Sequence, residues 1–339
     1  MRIFLILLIL FFSKNVLSNS LFDSDFYEVD FKSNNIENDK LIKIRDIKFK
    51  SINKIFNNIL IENDYKFIKR KIDENLINTF IKKIIIEDEK IINDNYYSKI
   101  KVNYNKNSII FFLRKLNLSY VENLPSQMLI IVFEKNLLKE TFLSKTDIHY
   151  EYLMNINNSF FKIPKLDIND KYLLSNININ NNYITNLDNI VEKYSSSNTI
   201  LLFVDNKKNK IQYDIYLYSD NDLSNILSLE YSKYDFNNLF FNIEYSILNE
   251  WKIKNRIQNR DINKTYCEIR YYNLRELKEI RKYLNNVSII KNIKLKKISY
   301  KVNYYDILYY GNDNNLINLF KLNKLNLKFN NNICKISLK

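Results

Sequence analysis

The chain of 339 residues carries 52 Lys and Arg against 38 Asp and Glu, a formal net charge of +14, and 46% of it is hydrophobic. It has one Gly, two Pro and no Ala. Neither G-x-G-x-x-G, nor the P-loop, nor G-x-S-x-G can therefore be written, which excludes the Gly-loop nucleotide enzymes and the nucleophile elbow of the α/β-hydrolases.

Met1 and Arg2 precede an unbroken apolar run, Ile3 to Phe12, followed by Ser13, Lys14 and Asn15 and by small or branched residues at Val16 and Ser18. This is the layout of a secretory signal peptide. A bilayer-spanning helix needs about 20 apolar residues, so the run is long enough to engage a translocase and too short to remain as an anchor. Residues 1–18 are expected to be removed between Ser18 and Asn19, leaving a periplasmic protein. The alternative is an uncleaved signal that holds the chain at the inner membrane.

The first stretch, 19–122, reads as an α+β domain. Phe26 to Phe31 is a weakly alternating strand. Leu41, Ile44, Ile47, Ile52, Ile55, Phe56, Ile59 and Leu60 fall near one helical face. Asp73 is placed to cap a second helix with the apolar face Leu76, Ile77, Phe80, Ile81 and Ile84. Ile100, Val102 and Tyr104 alternate with polar residues as a half-buried strand, and Ser108 to Leu116 closes the domain as a helix.

The second stretch, 123–235, contains two continuous apolar runs, Met128 to Phe133 and Thr199 to Val204, of the kind that strands buried on both faces require. Thr185 is expected to cap a helix bearing Leu187, Ile190 and Val191, which gives a βαβ-like order. Ile211 to Leu217 adds an outer strand, and the Asn-rich passage Asn155 to Asn182 reads as loop and short strand. The third stretch, 236–339, opens with a helix from Phe236 to Lys254 that holds the only Trp, Trp251. It continues as strand (Tyr266–Tyr272), helix (Leu274–Leu284), two strands (Ile289–Leu295, Ser299–Leu308), helix (Asn314–Leu322) and closing strands (Leu325–Phe329, Ile333–Leu338). The βαββαβ order is that of a ferredoxin-like sandwich. Gly311, the single glycine, falls at a turn and is expected to supply a positive φ.

Several of these segments together resemble an uncharacterised bacterial envelope family found mainly in alphaproteobacteria, the domain-of-unknown-function family 2066. They are Phe112-Leu113-Arg114-Lys115-Leu116 leading through Tyr120-Val121-Glu122 to Pro125 and Met128–Phe133, then Ile190–Val204, then Leu274–Leu284 with Val287 and Val302–Gly311, and finally Leu319–Lys328. Phe133 stands where the family strand often ends in Pro, and Ser195-Ser196-Ser197 where Gly-Ala is typical. The resemblance implies a middle domain similar to the N-terminal α/β domain of the periplasmic translocation protein TolB, an interaction module. It implies no activity.

Chemistry-bearing groups are few. His149, the only histidine, cannot by itself build a clustered zinc site, and is read as a surface or capping residue. Asp167 and Asp170 form a carboxylate pair with ordinary turn chemistry, short of the ligands and sharp Gly turn of a calcium loop. Cys267 and Cys334 lie in strands and either pair, if those strands are adjacent, or stay as buried thiols. The densest basic pieces are Lys66–Lys71 and Lys291–Lys297, but Asn, Ile, Lys, Tyr and Phe are what AT-rich codons supply, so the charge reports base composition as much as a partner. A nucleic-acid reader is expected to join a basic stripe to a recognisable module, and none is written here. No catalytic, cofactor or metal residues are assigned. The sequence thus points to a non-enzymatic exported protein that binds an envelope protein or polymer, with weak attraction to anionic membrane surfaces. The alternatives are a carboxylate-dependent hydrolase or transferase acting on envelope glycans and a basic binder of anionic lipid or nucleic acid.

Overall fold

A computed structural model describes residues 21–134, 147–156, 160–175, 177–180, 183–196, 198–219, 222–330 and 333–339. The expected signal peptide, residues 1–18, and its expected cleavage pair Ser18 and Asn19 lie outside the described residues. The described chain is α+β, with ten helices and fifteen strands, and none of these helices is long and apolar enough to cross a membrane. It divides into two units, one made of residues up to Asn123 together with Asn255–Lys339, the other of Leu124–Lys254. Residues 19–122 and 255–339, expected in separate domains, are thus parts of one unit, and the helix expected to open the third domain belongs to the second unit. The cause is packing. That helix buries Leu239, Phe240, Ile243 and Ile247 in the core formed by residues 128–218.

In the first unit, β1 (Tyr27–Lys32) pairs with β3 (Asn95–Tyr104), and β3 pairs with β2 (Ile81–Ile92), all antiparallel. Four helices accompany them: α1 (Ile36–Ile59), α2 (Glu62–Lys69), α3 (Glu74–Phe80) and α4 (Lys106–Lys115). Helix α1 buries Ile47, Ile52, Ile55, Phe56 and Ile59, while Leu41, expected on the same face, is 65% exposed in its early turns. Asp73 caps α3 by accepting from Leu76 N at 2.8 Å. The expected continuation of α3 through Ile81 and Ile84 is corrected: both lie in β2, where the β-branched run Ile84-Ile85-Ile86 is better accommodated on a pleated surface than in a helix. The β2–β3 turn, Asn93-Asp94, has positive φ at both residues, 47° and 64°, the backbone of a two-residue primed hairpin turn.

The rest of this unit holds β11 (Ile262–Arg270), α9 (Leu274–Asn286), β12 (Ile290–Ser299), β13 (Val302–Tyr310), α10 (Asp313–Leu322), β14 (Leu325–Asn330) and β15 (Ile333–Leu338). The strand order is β12-β13-β11-β15-β14. Strand β11 is antiparallel to β13 and parallel to β15. The last strand is therefore inserted between the first strand of this sheet and the one before it in sequence. Leu277, Ile280 and Leu284 of α9 and Leu316, Leu319 and Phe320 of α10 are buried, as are Cys267, Ile269, Tyr305, Ile307 and Ile336 on one face of the sheet. Gly311 has φ +78°, and a Cβ there would stand 2.8 Å from Asn315 Oδ1. That oxygen accepts from Asn312 N in the capping box of α10, so both the backbone and the cap require glycine.

The second unit is built on a five-stranded sheet, β10-β9-β8-β4-β5. Strand β4 (Met128–Glu134) is parallel to β5 (Phe161–Lys162) and to β8 (Asn198–Lys207), and β9 (Lys210–Ser219) and β10 (Asp222–Tyr231) extend it antiparallel. The runs Met128–Phe133 and Thr199–Val204 are buried throughout. With α5 (Ile148–Asn155), α6 (Ile168–Ser175), α7 (Asp188–Lys193) and α8 (Phe236–Asn255), the unit is more regular than the Asn-rich passage suggested. Helix α7 begins after Leu187, without a side-chain cap, so Thr185 is not its cap but lies in the short strand β7 (Tyr183–Thr185), which pairs with β6 (Asn178–Asn180).

Candidate functional site: a basic face of the C-terminal sheet

The face of the β11–β15 sheet opposite Cys267 and Ile269 is polar, because alternate residues of a strand point to opposite sides. Its register brings together side chains from five strands: Tyr266 opposite Asp306, Glu268 opposite Tyr304 and Lys335, Lys294 opposite Asp306, Lys297 opposite Tyr304, and Lys328 opposite Lys335. The rings of Tyr266 and Tyr304, on the neighbouring strands β11 and β13, stack with centroids 5.6 Å apart and planes 7° from parallel. Lys297 Nζ lies 6.0 Å from the Tyr304 centroid.

Both acids of this face are already held by cations. Asp306 takes Lys264 at 2.9 Å and Lys296 at 3.2 Å, and Glu268 takes Arg270. The hydrogen bond from Lys264 holds the Asp306 carboxyl below the usual carboxylate range, with Lys296 adding to it. Lys294, Lys297, Lys328 and Lys335 have no ion-pair partner among the described residues. A hollow of about 280 Å³ beside Lys328 and Lys335 is also lined by Glu268, Arg270, Asn326, Ile336 and Ser337. The basic piece Lys291–Lys297 has thus become the edge strand β12. Lysines on an edge also discourage pairing with another chain, but Lys328 and Lys335 repeat the charge on the same face toward the other edge of the sheet. The arrangement can hold an anionic, ring-bearing polymer by charge and by stacking.

The residues singled out in sequence fall elsewhere. Cys267 and Cys334 are register partners on β11 and β15, with Cα atoms 4.4 Å apart, and are joined in a disulfide on the covered face. Asp167 and Asp170 make the turn that starts α6: Asp170 N donates to Asp167 Oδ1 at 2.8 Å. The Asp170 side chain is fully buried, accepting from Leu166 N at 2.8 Å, from Lys193 Nζ at 2.6 Å and from Tyr194 Oη at 2.5 Å. Lys193 also donates to Asp167 at 2.9 Å. The two carboxylates share one lysine within a single turn and do not face each other across a cleft. No group of three potential ligands stands together among the described residues.

His149 is not a surface residue. It is 3% exposed, and the rings of Tyr213, Tyr234 and Phe236 meet it edge-on at 5.8, 6.0 and 5.2 Å. Its Nδ1 lies 3.1 Å from Asp147 Oδ1 and its Nε2 lies 3.3 Å from Tyr213 Oη. The set is satisfied by Nδ1–H donating to Asp147 while Nε2 accepts from the tyrosine hydroxyl. Burial acts to raise the Asp147 carboxyl, but the bonds it accepts from His149 and from the backbone outweigh this and hold it below the usual range. His149→Phe, which keeps a ring but takes the imidazole's bonds from Tyr213 and from Asp147, the latter still held by two backbone N–H groups, is expected to cost about 1–3 kcal/mol, and His149→Ala more, because it also empties the ring cage. Urea unfolding followed by Trp251 fluorescence checks this. A Phe variant as stable as the parent would show that packing alone holds the imidazole.

No protein-family model and no curated protein matches the chain.

Proposed function

We propose that this is an exported, non-enzymatic envelope protein whose C-terminal sheet binds an anionic envelope polymer. The observation that carries the reading is the sheet face itself, where unpaired lysines from three strands flank a stacked tyrosine pair and the only two acids are already neutralised. Export and a periplasmic site rest on the N-terminal signal pattern, and the family likeness to domain-of-unknown-function family 2066 supports an envelope role. The middle unit, with parallel β4, β5 and β8 extended by antiparallel strands, suits comparison with the N-terminal domain of TolB. The C-terminal sheet suits a ferredoxin-like plan elaborated by the inserted β15.

The test measures binding of the chain to dextran sulfate and to lipopolysaccharide, with neutral dextran as control. Binding is expected to weaken about tenfold or more as salt rises from about 50 to about 200 mM, because exposed charges beyond a Debye length are screened. The triple variant Lys294→Gln, Lys328→Gln, Lys335→Gln is expected to lose most of the affinity and most of the salt dependence. Binding that ignores both salt and the triple variant overturns the reading. The tyrosine pair favours one second reading, a stacking platform for single-stranded nucleic acid. Displacement of the polymer by a thymidine oligonucleotide at far lower concentration would decide for it.

A further inference from the structure

We infer that the end of the C-terminal sheet formed by the β12–β13 turn and the β11–α9 connection seats the protein on an anionic bilayer surface. At this end Tyr271 N donates to Lys301 O at 3.1 Å, and Arg270 is the register partner of Val302, so the two connections lie side by side. They carry Tyr300, 87% exposed, Tyr272, 83%, Leu274, 75%, and Ile298, 67%. Single exposed apolar residues are ordinary, but these lie on two adjoining connections, and they include two of the three most exposed large apolar side chains among the described residues. A clustered apolar patch at the tip of a short, hydrogen-bonded turn marks a contact surface.

The chemistry of the tip selects its occupant. Tyrosines are the side chains that settle at the headgroup level, with an apolar ring and a wet hydroxyl, and leucine and isoleucine beside them reach the acyl boundary. Lys301 lies with its Nζ 5.3 Å from the Tyr300 centroid, and Lys297 and Arg275 adjoin the patch residues Ile298 and Leu274 in sequence. Of the acids nearby, Glu268 is paired with Arg270, while Glu276 is turned onto Tyr272 N at 2.6 Å and leaves one negative charge against Lys301, Lys297 and Arg275. Basic groups around an aromatic tip complement a negatively charged lipid surface. The inference does not rest on polymer binding by the lysine face, and the residues that test it are different.

The full chain is mixed with vesicles of brominated phosphatidylcholine and phosphatidylglycerol in equal parts. Because residues 3–12 are apolar enough to enter a bilayer on their own, contact is read by position. A tryptophan placed by Tyr300→Trp, in a Trp251→Phe background, is expected to be quenched severalfold more than one placed by Ile91→Trp at the exposed tip of the β2–β3 hairpin. That quenching is expected to fall when phosphatidylglycerol is omitted, and to fall in the Lys301→Gln, Arg275→Gln variant. Equal quenching at the two positions, or quenching at 300 that ignores both phosphatidylglycerol and the two cations, overturns the inference. So does a tip that Tyr272→Ser and Tyr300→Ser show by sedimentation to hold a second copy of the chain.

Discussion

Loss of the Cys267–Cys334 disulfide is expected to lower the stability of the unit that contains it by about 4 kcal/mol, the chain-entropy value for a closed loop of this size. The two cysteines are 67 residues apart, and the loop they close contains α9, β12, β13, α10 and β14. The bond joins β11 to β15, the parallel pair at the centre of the sheet. Unfolded chain with the bond intact keeps the two strands close, so the most remote pairing of the sheet is made without a long loop closure. Guanidinium unfolding followed by far-ultraviolet circular dichroism, with and without reductant, measures the effect. The double variant Cys267→Ala, Cys334→Ala in the absence of reductant should match the reduced parent to within the small cost of the two lost sulfur atoms. Two reactive thiols in the denatured, unreduced protein, or identical midpoints in both conditions, would remove the bond from the account. A bond that persists in protein taken from intact cells would also accord with an oxidising compartment, and so bears on the proposed export.

What the sequence makes legible here depends on whether the signal is local. The runs Met128–Phe133 and Thr199–Val204 announce buried strands because every side chain is apolar, and Asp73 announces a helix start because its carboxylate bonds to an N–H three residues away. Strand β2 hides because its exposed half, from Glu87 to Ile92, mixes charges with isoleucines and has no inner face to impose alternation. Strand β10 hides for the same reason, being an edge strand whose residues are nearly all half-buried or exposed. His149 reads as a surface or capping residue from its neighbours in sequence, and its cage comes from Tyr213, Tyr234 and Phe236, more than sixty residues away. The basic sheet face is a product of register. Each lysine is visible in sequence, but only the order β12-β13-β11-β15-β14, with the last strand inserted, gathers Lys294, Lys328 and Lys335 around Tyr266 and Tyr304. The joining of the first and last stretches into one unit is the most distant case, since it depends on groups such as Arg114 and Ser288, 174 positions apart.

That junction supplies the second large effect. Arg114, at the end of α4, donates from Nη2 to Tyr120 Oη and to Ser288 O, both at 2.8 Å, and its guanidinium lies 4.3 Å from the centroid of Tyr310. Tyr120 is fully buried and exchanges backbone bonds with Ile257. Burial pushes its hydroxyl well above the usual tyrosine range, so it remains a neutral partner for Arg114. Two residues on, the buried carboxylate of Glu122 accepts from Ser288 Oγ and pairs with Lys106 Nζ at 2.5 Å. The stretch Tyr120-Val121-Glu122 therefore ties residues 106–122 to residues 257–310 through charged groups with little access to water. Glu122→Ala is expected to cost about 3–5 kcal/mol, the range for stripping one partner from a buried charge network. Arg114→Met should cost about 2–4 kcal/mol, because it removes the guanidinium's bonds to the Tyr120 hydroxyl and the Ser288 carbonyl while keeping much of the packing on Tyr310. Glu122→Gln, which still accepts from Ser288, should lose less than Glu122→Ala. Lys106→Ala should lose least, since the lysine is partly exposed and solvent screens its pair. Urea unfolding gives each value, and a double-mutant cycle of Glu122→Ala with Ser288→Ala gives the coupling, expected at about 1–3 kcal/mol for groups in one network. Additive losses would show that the Glu122–Ser288 bond does not couple the two segments and that the two groups are only adjacent.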